Sequence, residues 1–247
     1  MSKLIPETSS TVPIALLPKA VLFDHDGVLV ASESLHWMAW HQLLDELAIP
    51  YRESELRALV GMPAPLILKN LLDHYRPGWK AAQYDLDALA LRKNDFFGEL
   101  AQTRLQAYPG VKEGLQWLQS EKILCAVVSN AKGRELFSGL DRLGLASYFQ
   151  IILSRDELPI PKPHPSAYLL GATKLGVKPE HCIAVEDSPT GIESALLGQI
   201  PAAAVLTNFS HEIMSRPVKT HPHLQPTWIG ESIIHFFDWM KSLPHSN

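Results

Sequence analysis

The sequence predicts an α/β protein: a doubly wound parallel sheet with a helical bundle inserted near the N-terminus. Three observations carry this. Short, β-rich apolar runs alternate with longer helical patterns along most of the chain. Those runs are apolar on both faces, as parallel strands covered by helices on two sides must be. One long stretch, from Ser34 to Gln106, holds helix patterns and no strand.

In chain order, the segment Val12 to Leu17 is the one candidate targeting sequence. It is short, carries Pro13 and Pro18, and has no basic run before it, so residues 1–18 read as a loose leader of a cytoplasmic protein. Ala20–Phe23 is the first strand. Helix patterns follow at Leu35–Leu47, Glu53–Val60, Leu66–Tyr75 and Asp85–Leu105, and four in succession make a small bundle. The insertion starts just after the first strand and its loop, which places it above the carboxyl ends of the strands, like a lid. Tyr108-Pro109-Gly110 is turn chemistry that marks the return to the main domain. Strands at Ile123–Ser129, Phe149–Leu153, Cys182–Glu186 and Ala202–Leu206 then alternate with helices at Val111–Ser120, Gly133–Leu143, Pro165–Leu175 and Thr190–Leu197. This order argues for a sheet whose ligands bind beyond the carboxyl ends of its strands. From Asn208 the pattern is broken by Pro217, Pro222 and Pro226, before one amphipathic helix at Glu231–Met240. The expected organisation is a leader (1–18), a core domain (19–33 and 107–247) and a helical cap (34–106).

Composition narrows the function classes. Hydrophobic residues are 46% of the chain and charged residues 19%, as in ordinary packed proteins, and the net charge is −4. With no Lys/Arg block and no apolar stretch of spanning length, neither a nucleic acid nor a membrane is an expected partner. The expected state is a monomer or weak homodimer. Cys125 and Cys182 lie in apolar runs and read as inert core thiols rather than a disulfide or a metal site.

The chemistry sits at strand ends. In Phe23-Asp24-His25-Asp26-Gly27-Val28 an apolar strand runs into two carboxylates at i and i+2. Both can reach one ligand there, and Gly27 permits a sharp turn. Two anions this close require a cation or a shared proton, and a hard divalent ion such as magnesium suits oxygen ligands. A plain Asp/Gly turn capping the next helix accounts for the same residues. Ser129-Asn130 closes the second strand and offers a phosphate cradle or a simple N-cap. Lys162 is presented by the stiff segment Pro161-Lys162-Pro163-His164-Pro165. Glu186-Asp187 closes an apolar strand, and although Ser188 and Pro189 are good helix-start residues, capping does not explain the acidic pair.

As a set, Asp24-His25-Asp26-Gly27-Val28, Ser129-Asn130, Lys162 and Glu186-Asp187 resemble the four signature motifs of the haloacid dehalogenase superfamily. The resemblance runs from Lys19 to about Leu206. Ser32-Glu33-Ser34-Leu35-His36 and Pro163-His164-Pro165 resemble the subgroup of phosphoglycolate phosphatase and β-phosphoglucomutase. The resemblance implies a Rossmann-like core with an inserted helical cap and a magnesium-dependent hydrolysis of a small phosphorylated metabolite. It implies that Asp24 attacks phosphorus to give an aspartyl-phosphate. By the same resemblance Asp26 would protonate the leaving oxygen and then activate water, while Ser129 and Lys162 would hold the phosphoryl oxygens. The resemblance further implies that magnesium would be held by Asp24, the backbone carbonyl of Asp26 and Asp187, with Glu186 a ligand or its neighbour. Asn130, His36, Lys93 and Asn94 are the implied substrate-binding residues.

The chain departs from the family in two places. Ala31 stands where an aspartate is usual, which implies altered loop bonding. His25 stands where an apolar residue is commoner, and is expected to point away from its neighbours into the core. Leu59-Val60-Gly61-Met62-Pro63-Ala64 resembles the substrate-facing cap loop, with Ala64 in place of the mutase arginine that grips a second phosphate. That favours a phosphatase over a mutase, although His36 and Arg92-Lys93-Asn94-Asp95 resemble mutase segments. Arg92 and Lys93 also fit a solvated helix face. His211, His221 and His223 lack regular ligand spacing and read as a solvated loop. The second aspartate opposes a carbon–halogen hydrolase, and the filled signature positions oppose a non-catalytic binding protein of the same fold.

Overall fold

A computed structural model describes residue 14, residues 16–59 and residues 62–245. The expected leader falls mostly outside these residues, as do Val60 and Gly61 of the expected cap loop. The chain divides into two compact units, residues 1–31 with 106–247, and residues 32–105.

The smaller unit holds four helices: α1 (Glu33–Glu46), α2 (Glu53–Ala58), α3 (Ala64–Tyr75) and α4 (Leu86–Arg104). Asp85 starts α4 by accepting the backbone N–H groups of Asp87 and Ala88 at 3.1 and 3.0 Å, which satisfies two of the donors that a helix start leaves open. Leu43, Leu44, Leu56, Leu68 and Leu72 form its buried centre.

The larger unit is a six-stranded sheet between helices. Its strands are β1 (Ala20–Phe23), β2 (Leu124–Val128), β3 (Ile151–Leu153), β4 (Cys182–Glu186), β5 (Ala202–Val205) and β6 (Trp228–Gly230). The helices are α5 (Val111–Ser120), α6 (Gly133–Arg142), α7 (Ser166–Leu175), α8 (Pro189–Leu197), α9 (His211–Met214) and α10 (Ile233–Lys241). The strand order is β3-β2-β1-β4-β5-β6 and every pair is parallel. Ala20 lies opposite Leu124 on one side and Cys182 on the other. All four residues of β1 are completely buried, which is why the run reads as apolar on both faces.

On one face Ala20, Leu22, Ala126, Val128 and Ala184 pack with Tyr168 and Ala172 of α7 and Ala195 of α8. Gly171 brings α7 close, since a Cβ there would stand 3.0 Å from Val128 Cγ2. On the other face the Phe23 ring meets those of Phe149, Phe236 and Phe237 at 6.1, 6.4 and 6.3 Å. The strand β6 and the short helix α9 were not expected from the sequence. Three half-buried residues closed by Gly230 make an edge strand too short to show periodicity, and α9 has only four residues.

The chain leaves β1 for β2 and β3 on one side, then crosses to β4 on the other. The carboxyl ends of β1 and β4 therefore flank the switch point, where sheets of this class bind ligands.

Candidate active site

Asp24 is the first residue past β1. Its N–H donates to the Val185 carbonyl at 2.9 Å, so the parallel ladder carries it alongside the end of β4. The chain then turns at Gly27, whose φ is +76°. A Cβ on Gly27 would lie 2.0 Å from Asp187 Oδ2. Glycine is thus required for its left-handed backbone and for the carboxylate that approaches it.

Lys162 is buried, and its ammonium has three acceptors: Asp24 Oδ1 at 2.7 Å, Glu186 Oε1 at 2.6 Å and the Tyr168 hydroxyl at 3.0 Å. An ammonium has three protons, and each has one partner. The Lys162 backbone is clamped by Asn130, whose Oδ1 accepts from Lys162 N at 3.1 Å while its Nδ2 donates to Lys162 O at 3.2 Å. The Asn130 side chain therefore holds the lysine loop. Ser129 is buried at the end of β2, and its Oγ accepts the Ala131 N–H at 3.0 Å.

Glu186 is fully buried. Its Oε1 also accepts from the Tyr168 hydroxyl at 2.7 Å, and its Oε2 from Ser188 Oγ at 3.0 Å. Ser188 caps α8 as expected, accepting the Gly191 N–H, so one hydroxyl both starts the helix and donates to the carboxylate. A Cβ on Gly191 would stand 1.8 Å from Glu186 Cδ, so only glycine lets the positive end of α8 come this close to the charge. Asp187 Oδ2 accepts from Asn208 Nδ2 at 2.6 Å.

Negative charge outweighs positive here. Burial pushes Asp24 up to about 7, Glu186 and Asp26 push the same way, and Lys162 opposes them. Asp187 is held well above the usual carboxylate range by burial first and then by Asp24 and Glu186. Burial alone would depress Lys162, but Asp24 and Glu186 reverse this and raise it. Ligand oxygens of Asp24, Glu186 and Asp187 all lie within 4.8 Å of one another. Three hard oxygen donors this close together, with one ammonium beside them, fit a divalent cation. The Asp26 side chain is about one-third exposed and is not among these three.

His25 is buried, as expected, but does not point wholly away from its neighbours: its Nδ1 lies 3.3 Å from Asp26 Oδ2. Within the smaller unit, Lys93 Nζ is 2.7 Å from His36 Nδ1, and the His36 ring stacks on Phe97 at 4.0 Å. Asn94, the next residue of α4, is half-buried. The solvated helix face holds for Arg92, which pairs with Glu46 at 3.1 Å. It fails for Lys93, which is buried with its ammonium over the rings of Trp40 and Phe97. Residues one apart on a helix point about 100° apart, and this is enough to send Lys93 inward. His211, His221 and His223 join no three-ligand group among the described residues. Both cysteines are buried and free, with burial pushing each thiol up to about 12.

Two further site residues lie outside the sequence motifs. Tyr168 sits in an apolar helical run, where an aromatic residue signals only core. Asn208 follows β5, and a polar residue just past a strand end was a usable signal.

The chain matches the family profile described as haloacid dehalogenase-like hydrolase over residues 21–205. It belongs to that family. A phosphorylated carbohydrates phosphatase from Thermotoga maritima is 32% identical over 182 residues, covering 72% of this chain and 80% of that one. A phosphoglycolate phosphatase from Pseudomonas syringae pv. tomato is 31% identical over 210 residues, covering 82% and 73%. The crystal structure of a β-phosphoglucomutase from Clostridium difficile superposes with a TM-score of 0.70 at 22% identity, covering 91% of this chain and 96% of that one; that likeness concerns the fold. This haloacid dehalogenase-like protein is thus a hydrolase of the phosphatase type. Its family implies a divalent metal, and the trio Asp24, Glu186 and Asp187 is a candidate site for it. Among its described residues no helix is long and apolar enough to cross a membrane.

Proposed function

We propose that this protein is a magnesium-dependent phosphatase that hydrolyses a small phosphate monoester, of the sugar phosphate or phosphoglycolate type, through an aspartyl-phosphate on Asp24. The observation that carries the reading is the setting of Asp24. It projects at the switch point of the sheet, 2.7 Å from a buried ammonium and within ligand distance of two further carboxylates. Phosphoryl transfer asks a protein mainly for positioning and charge neutralisation, and this site supplies both.

In the first step an Asp24 oxygen forms a bond to phosphorus as the ester P–O bond breaks, and the departing alkoxide takes a proton from Asp26. In the second, Asp26 accepts a proton from water as the water oxygen bonds to phosphorus and the Asp24–phosphorus bond breaks. The partial exposure of Asp26 suits a group that must exchange protons with water. Magnesium, held by Asp24, Asp187 and the Asp26 carbonyl with Glu186 alongside, would neutralise Asp24 and the phosphoryl oxygens. Lys162 has no unused proton, so it reaches a phosphoryl oxygen by trading its bond to Asp24. The trade is favourable, because negative charge leaves Asp24 for the phosphoryl group as the bond forms. Ser129 is assigned to the same oxygens. Asn130 serves the phosphate through the lysine loop it clamps. His36, Lys93 and Asn94 are assigned to the rest of the substrate, and this extends to a small phosphorylated metabolite what the relatives' names say of those proteins.

A phosphosugar mutase is the second reading, favoured by the part-buried Lys93–His36 pair. Ala64, at the start of α3, offers no cation for a second phosphate. The test is hydrolysis of an aryl phosphate during a magnesium titration, with Asp24→Asn as control. Phosphate release that needs magnesium and disappears in the variant supports the reading. No release with any divalent ion, or full activity in Asp24→Asn, overturns it. Conversion of a sugar 1-phosphate to its 6-phosphate without phosphate release establishes the mutase instead.

A further inference from the structure

Tyr168 lies outside the motif positions, yet its hydroxyl is bound into the middle of the charged cluster. The side chain is completely buried in the first turn of α7. The hydroxyl accepts from Lys162 Nζ at 3.0 Å and donates to Glu186 Oε1 at 2.7 Å. The same Glu186 oxygen takes a second bond from Lys162 at 2.6 Å. Lysine, carboxylate and phenol thus close a three-membered ring of hydrogen bonds, in which the phenol is both acceptor and donor. The ammonium also lies 4.6 Å from the centre of the tyrosine ring, a cation–π contact that survives loss of the hydroxyl.

We propose that Tyr168 is a positioning residue for phosphoryl transfer: its hydroxyl fixes the Lys162 ammonium in the orientation that reaches Asp24. This role rests on those proposed for Asp24 and Lys162. An ammonium on a four-carbon stem rotates freely unless every proton has a fixed acceptor. Two of the three acceptors, Asp24 and Glu186, are anions that compete for it. The hydroxyl takes the third proton and, by donating to Glu186, keeps that carboxylate from drawing the lysine further from Asp24. Without it a buried N–H is left unpaired, which a buried donor does not tolerate. The lysine then turns to find another acceptor.

The test is Tyr168→Phe, which keeps the ring and removes the oxygen. With saturating magnesium and an aryl phosphate, kcat should fall about tenfold while KM stays within about twofold, since Lys162 turns to the phosphoryl oxygen only as the bond to Asp24 forms. Independently, the Lys162 ammonium, protected by three acceptors, should give its own 1H–15N cross-peak, assigned by its loss in Lys162→Met. In Tyr168→Phe that cross-peak should shift or vanish through exchange with water. A cross-peak that does not move, or a kcat within twofold of the parent, overturns the proposal. If the phenylalanine variant does not fold, 3-fluorotyrosine at position 168 keeps shape and hydroxyl but weakens the acceptor; an unmoved cross-peak again overturns the proposal. If the parent hydrolyses no aryl phosphate, the phosphatase reading fails, and the cross-peak still decides whether Tyr168 positions Lys162.

Discussion

Replacing Asp24 with asparagine is expected to stabilise the metal-free protein at pH 8. Burial raises Asp24 from the ordinary 3.8 to about 7 despite Lys162. Between those two values the folded protein keeps a proton that the unfolded chain has released. Where the native state binds more protons, stability falls as pH rises. The penalty is therefore absent below about pH 4 and complete above about pH 7. At about 1.4 kcal/mol per pH unit, it reaches at most about 4 kcal/mol. Asparagine has the same shape and no charge at any pH, so it escapes this penalty. It does replace the charged acceptor of Lys162 with a neutral amide oxygen, a loss of roughly 1–3 kcal/mol. The net gain at pH 8 is then roughly 1–3 kcal/mol and should shrink towards pH 5. Asp187 is raised partly by Asp24, so removing the Asp24 charge eases Asp187 as well and adds to the gain in the same direction. The assay is urea unfolding in EDTA at pH 5 and pH 8. A variant less stable than the parent at pH 8, or a difference that does not grow with pH, would refute the reasoning. It would mean that the bond to Lys162 outweighs burial and repulsion together.

Three more substitutions probe the surrounding parts. Asp26→Asn removes the proposed acid and base, and kcat for an aryl phosphate should fall about 10²–10⁴-fold, with the urea midpoint close to the parent's because the side chain is partly exposed. Gly27→Ala places a Cβ 2.0 Å from Asp187 Oδ2 at a backbone φ of +76°; it should cost about 1–3 kcal/mol of stability and weaken magnesium binding, read by calorimetry. Asn130→Ala frees both backbone groups of Lys162; it should cost about 1–2 kcal/mol and lower kcat, since the lysine loop loses its clamp.

Much of the sheet was legible because its signals are local. The run Ala20–Phe23 is apolar at every position, and burial on two faces demands this. The same clarity marks Cys182–Glu186, where a charged residue closing a fully buried strand has no packing explanation. The candidate site was legible as strand ends, because the turn after a parallel strand is where side chains meet a ligand. What stayed hidden depends on direction and distance. Lys93 and Arg92 are adjacent and alike in sequence, yet one is buried and the other is not. Only the packing of α4 decides which. Tyr168 looks like any aromatic residue of a core helix, and its role depends on a hydroxyl reaching a lysine six residues earlier. The edge strand at Trp228–Gly230 exists through pairing with β5 rather than through its own pattern.

The central claim is that Asp24 becomes phosphorylated. It is tested most directly by mixing the magnesium-loaded protein with excess aryl phosphate, quenching in acid within milliseconds and reducing with borohydride, which converts an aspartyl-phosphate to homoserine. Peptide mass spectrometry should find homoserine at position 24 and no change at Asp26, Glu186 or Asp187. Hydrolysis that proceeds with residue 24 unmodified, or with the label on another carboxylate, would contradict the account.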